Sequence, residues 1–121
     1  MKELMSEVKT DIKEIASDWI TVGNSYNVED YLAFYHQDVI LNDPSVGRKF
    51  IGLSGIKEYF ESYFVGYQTQ TTIVSLNIID AEHAHLEVSF TGNFPEGQLC
   101  GIFDLTFRGG KISSVEADLS S

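Results

Sequence analysis

Basic residues are scarce in this chain: eight lysines and arginines stand against eighteen aspartates and glutamates, a net charge of −10. Such a surface repels a phosphate backbone or an anionic bilayer, which excludes nucleic-acid and membrane-surface partners. Cysteine is nearly absent. Cys100 stands alone, so no internal disulfide is possible, as expected of a protein kept in a reducing compartment. It has no CxxC partner and no histidine close in sequence, so it carries neither a redox pair nor a thiol nucleophile. No apolar run approaches the roughly 20 residues needed to cross a bilayer. The amino terminus, MKELMSEVKTDIKEI, mixes charge throughout and lacks the apolar centre of a signal peptide. A cytoplasmic protein is expected.

Aromatic side chains are abundant: eight phenylalanines, six tyrosines and one tryptophan in 121 residues. A chain of that length makes one domain, residues 1–121, with enough apolar surface to build a core or to line a cavity.

Hydrophobic spacing divides the chain into two halves. Over residues 3–22, Leu4, Met5, Val8, Ile12, Ile15, Ala16, Trp19 and Ile20 form one helical stripe, ended by Gly23 and Asn24. Asn27 is placed to cap a short second helix with Leu32, Phe34 and Tyr35 on its apolar side and His36 near its end. Residues 39–43 read as a short strand, and Arg48-Lys49, the only adjacent basic pair, as a solvated loop, with reception of an anionic substrate at a cavity mouth as the alternative. Ser54 is placed to cap a third helix over residues 55–64, closed by Gly66. From Gln68 onward the period changes to two. Turns at Asp80-Ala81-Glu82, Pro95-Glu96-Gly97 and Gly109-Gly110-Lys111 separate a run of antiparallel strands. Helices followed by strands predict an α+β fold with the helices on one face of a curved sheet.

That order, with YHQDVILNDPSVGRKFIGLSGIKEYF at its centre, resembles the SnoaL-like branch of the nuclear-transport-factor-2-like superfamily. The resemblance covers nearly the whole chain. It implies a cone of three N-terminal helices packed on a curved, mainly antiparallel sheet that encloses an apolar cavity. It also implies a small-molecule site without metal or organic cofactor, because ketosteroid isomerases, polyketide cyclases, dehydratases and epoxide hydrolases use that cone.

Within the resemblance, Asp43 falls where ketosteroid isomerases carry their proton-abstracting carboxylate, at a strand-to-proline junction. Pro44 disfavours the helical region for Asp43 and holds it extended, so its side chain projects from the strand end. The isomerases' oxyanion donors are not matched. Trp19 aligns with their tyrosine, and Phe103 with their second aspartate, leaving Asp104 on the opposite strand face. The epoxide-hydrolase arginine is matched by Ile102. Asp43 is also the natural first residue of an Asx turn, and the two roles are compatible.

Trp19, Tyr35, Tyr59, Phe60, Tyr63, Phe64, Phe90 and Phe103 either line a ligand cavity or fill it as core. His83, His85 and Glu87 share one strand face and read as the polar outside of an antiparallel sheet, with no bound metal expected. Two functions stay open: a non-catalytic cone binding a small apolar molecule, or a cofactor-free isomerase, cyclase or dehydratase with Asp43 as general base.

Strand alternation puts Val74, Leu76, Leu86, Val88, Phe103 and Leu105 under the helices. It leaves Ile73, Ile79, Cys100 and Ile102 on the outer face. An apolar cluster there predicts a homodimer through the outer sheet face.

Overall fold

The structure, a computed structural model, describes residues 11–120. The first part of the expected long helix, with Leu4, Met5 and Val8, lies outside the described residues. Helix α1, Ile12–Gly23, is capped by Asp11, whose carboxylate accepts from the Glu14 amide at 2.9 Å. Its apolar stripe turns Ile12, Ala16, Trp19 and Ile20 onto the sheet. Asn24 follows and ties the helix end to an edge strand. Its side chain accepts from Thr71 N at 2.7 Å and donates to Thr71 O at 2.9 Å, satisfying backbone groups that an edge leaves open.

Asn27 caps helix α2, Val28–Leu32, accepting from the Asp30 amide at 3.0 Å. That helix is shorter than its sequence suggests. Tyr35 and His36 belong to strand β1, Tyr35–Asp43, which starts four residues before the expected Val39. His36 therefore lies in a strand and not at a helix end, and Arg108 donates to its ring.

The Arg48-Lys49 pair, expected in a loop, opens strand β2, Arg48–Ile51, which forms a hairpin with β1. Helix α3, Gly52–Phe60, begins at once, so Ser54 sits inside its first turn and no side chain caps it. A π-helical turn, Glu61–Val65, extends it, closed by the bond from Gly66 N to Glu61 O at 2.9 Å.

Strands β3 (Gln70–Asp80), β4 (His83–Thr91), β5 (Gln98–Arg108) and β6 (Lys111–Leu119) complete one sheet of order β2-β1-β6-β5-β4-β3. Only the β1–β6 pair is parallel. The fold is thus α+β, three helices over a mostly antiparallel sheet. Among the described residues no helix is long and apolar enough to cross a membrane.

Strand alternation holds along β4 and β5, where Leu86, Val88, Phe103 and Leu105 are buried. It fails in β3. Ile73 pairs with inward-facing Val88 and packs on the core, while Val74 is 64% exposed, the reverse of the expected faces. The register shifts between Ile73 and Ser75, and the extra residue of a bulge flips every side chain before it. Ile73 is therefore removed from the outer apolar cluster, and Val74 joins it.

Candidate functional site

At the end of β1 the chain must turn into β2, and Asp43 does this with its own backbone and side chain. Its carbonyl accepts from Val46 N at 3.1 Å and Gly47 N at 3.0 Å. Its Oδ1 accepts from Ser45 N at 3.0 Å and from Ser45 Oγ at 2.5 Å, an Asx turn closed by a second donor. The side chain nevertheless faces inward. Asp43 is only 6% exposed, and its Oδ2 accepts from the Tyr59 hydroxyl of α3 at 3.0 Å. One residue is both turn former and buried carboxylate.

Tyr59 is held in turn by aromatic neighbours: Phe50, Tyr63 and Phe64 lie with ring centroids 5.0, 5.6 and 5.7 Å away. Burial pushes its phenol well above the usual range, and the negative charge of Asp43 adds to the effect. Tyr59 therefore stays protonated and acts as a donor.

The pair opens onto a cavity of about 260 Å³. Tyr63, Phe64, Thr69 and Phe90 form its wall, and Phe94, Leu99 and Val46 continue it. Tyr67, Pro95, Glu96 and Leu119 stand at the exposed mouth. The π turn matters here: its wider winding brings consecutive residues, Tyr63 and Phe64, to the same wall. Two glycines make room for the rings. A Cβ on Gly101 would lie 2.6 Å from the Phe90 ring, and one on Gly92 would lie 2.7 Å from the Phe94 ring. The Tyr63 hydroxyl has no hydrogen-bond partner among the described residues.

The aromatic side chains singled out in the sequence divide. Tyr59, Tyr63, Phe64 and Phe90 line the cavity with Asp43. Trp19, Tyr35, Phe60 and Phe103 pack together in the core beneath the helices. The Trp19 indole N–H donates to the Tyr35 hydroxyl at 2.8 Å, and that hydroxyl donates to Tyr31 at 2.8 Å. Phe103 and Trp19 meet nearly at right angles with ring centres 5.0 Å apart, and Tyr31 stacks on Phe60 at 3.9 Å. The Trp19 donor is thus spent inside the core, away from Asp43.

On the outer sheet face, His85 pairs with Asp104 at 2.5 Å and His83 with Asp80 at 2.7 Å. Glu87 is exposed beside them, and no group of three His, Cys, Asp or Glu side chains among the described residues is arranged to hold a metal.

Sequence reasoning missed Ser45 and Tyr67, Thr69, Phe94 and Glu96. Ser45 was legible in Asp-Pro-Ser, where the residue two after an Asx donates to it. The others come together only through the tertiary fold.

The model of the SnoaL-like domain matches residues 16–115, and the chain belongs to that family. Solved structures with the same fold are distant in sequence. A candidate ketosteroid isomerase from Kribbella flavida superposes with a TM-score of 0.78 at 20% identity, covering 89% of this chain and 76% of its own. A candidate polyketide cyclase from Sinorhizobium meliloti gives 0.78 at 14% identity, covering 86% and 93%. A nuclear-transport-factor-2-like protein of unknown function from Burkholderia xenovorans gives 0.80 at 13% identity, covering 95% and 87%. No curated protein sequence matches the chain significantly. At these identities the structural likeness establishes the fold and leaves activity to the site.

Proposed function

We propose that this protein binds a small, largely apolar molecule in the cavity below Asp43, and that Asp43 is the polar group that meets it. The supporting observation is the carboxylate itself: 6% exposed, aimed at an aromatic cavity, and held by Ser45 and Tyr59. A buried carboxylate costs stability unless it is well bonded, and the turn alone would be served by an exposed one. A volume of about 260 Å³ falls just under the roughly 300–1,000 Å³ usual for small-molecule sites, so the ligand is small.

A second reading, proton transfer, is favoured by one specific feature. The cavity offers an acceptor, Asp43, and a hydroxyl without a hydrogen-bond partner among the described residues, Tyr63. A base that removes a proton beside a carbonyl needs a donor for the enolate oxygen, and Tyr63 is of that type. Trp19 and Phe103 do not supply one.

Cyclohexanone tests both. Titrated into ¹⁵N-labelled protein, it is expected to give saturable shifts at Ser45, Val46, Tyr63 and Phe64. Shifts that do not saturate, or that lie on the outer sheet face, would overturn the binding reading. Exchange of its α-protons in D₂O, lost in Asp43→Asn, would support proton transfer; exchange equal in both proteins would rule it out.

The same proposal includes a homodimer through the outer sheet face, where Val74 and Ile102 are not covered by the helices, and a cytoplasmic setting, consistent with the single cysteine.

A further inference from the structure

Resting on the cavity as a binding site, we infer that its ligand carries an organic ammonium group on an apolar frame. The lining holds two carboxylates, buried Asp43 and Glu96 at the mouth, and no lysine, arginine or histidine among the described residues. Among the described residues, the donors to Asp43 are all neutral: the Ser45 amide and hydroxyl and the Tyr59 phenol. Arg48 stands directly across the β1–β2 hairpin from Asp43 but makes no ion pair with it; its guanidinium is bonded to Glu58 at 3.1 and 3.2 Å and lies 4.2 Å from the Phe50 ring centre. Asp43 is thus a carboxylate out of water with no direct ion pair among the described residues. A cation entering the cavity would supply one.

The rest of the wall suits the same group. Tyr63, Phe64, Phe90 and Phe94 line the cavity, and they are not one stacked layer. Phe64 and Phe90 meet at 77°, as do Tyr67 and Phe94 at the mouth. A box of tilted rings with a carboxylate at one end is the arrangement that holds alkylated ammonium ions, which shed water readily and are drawn to ring faces. An anion finds the opposite: two like charges, no basic side chain among the described residues that line the cavity, and a protein of net charge −10. Field lines from that surplus converge in a low-dielectric cleft and raise the local cation concentration.

Choline and its carbon isostere 3,3-dimethylbutan-1-ol differ in charge and scarcely in shape, so their ratio isolates the ammonium. Each is titrated into ¹⁵N-labelled full-length protein and followed by amide shifts at the cavity and by calorimetry. Choline is expected to bind about tenfold tighter than the alcohol, to weaken as salt is raised, and to lose that preference in Asp43→Asn. If the alcohol binds in the cavity as tightly as choline or tighter, the ammonium inference is overturned and the cavity reading stands. If neither compound shifts the cavity amides at millimolar concentration, both fall.

Discussion

Tyr59 donates its phenolic hydrogen to Asp43 Oδ2 at 3.0 Å, joining helix α3 to the end of strand β1 inside the protein. The bond fixes the carboxylate's direction, because Ser45 holds the other oxygen. Turn, helix and cavity therefore share one side chain.

Tyr59→Phe removes that donor and leaves the ring in place among Phe50, Tyr63 and Phe64. Asp43 then loses one of its donors in a buried setting. Urea unfolding at pH 7 is expected to show a loss of about 1–3 kcal/mol. A stability equal to that of the parent would mean the bond contributes nothing to the site.

Three buried phenols make the fold sensitive to alkali. Tyr31, Tyr35 and Tyr59 are all raised above the ordinary phenol value, by burial first. Below about pH 10 both folded and unfolded chains keep these protons. Above it, the unfolded chain releases protons that the fold retains, so stability falls with rising pH until the folded values are passed. Each such tyrosine contributes a slope of about 1.4 kcal/mol per pH unit. Urea midpoints are expected to be level from pH 8 to near 10 and to drop above it, less steeply in Tyr35→Phe. A midpoint level to pH 11 would contradict the burial of these groups.

How far the sequence could be read depended on length and on locality. The alternation over residues 83–91 and 98–108, the Asn27 cap and the Asp43-Pro44 turn are local, and each was legible. Strand β2 spans four residues, Arg48–Ile51, too few to show a period. The bulge at Val74 inserts no recognisable residue, so the faces of Ile73 and Val74 were assigned in reverse, while Leu76 and Ile79 beyond it fall where alternation puts them. Asp43 could be picked out as a carboxylate at a strand end. Its bond to Tyr59 could not, because it links residues sixteen apart. The aromatic stripe was plain, but whether a ring fills the core like Trp19 or lines the cavity like Tyr63 depends on elements that converge only in the fold.

Gly101 is where the sheet makes room for the cavity wall. A Cβ there would stand 2.6 Å from the Phe90 ring and 2.9 Å from the Asp118 carbonyl. Gly101→Ala must displace one or the other, at a cost of about 1–3 kcal/mol. Urea unfolding should show the loss, and the cyclohexanone titration should weaken, because Phe90 moves toward the cavity. An alanine variant matching the parent in both would show that the wall tolerates the methyl group.

The proposed dimer has a built-in opposition. On the outer face Ile102 is flanked by Glu87 and Asp118, and Asp104 by His85 and Glu116. Two such faces repel each other at low ionic strength, so added salt is expected to favour association. Sedimentation should show the dimer fraction rising with salt and abolished by Ile102→Glu. A monomer at all salt concentrations, or a dimer indifferent to that substitution, would place the contact elsewhere or remove it.

The most direct measurement is anomalous diffraction from crystals soaked with bromobenzene, whose ring suits the aromatic wall and whose bromine marks its own position. The peak is expected inside the cavity, among Tyr63, Phe64 and Phe90 and below Asp43. A soaked crystal with bromine only on the outer sheet face, or with none in the cavity, would contradict the assignment of this cavity as the ligand site.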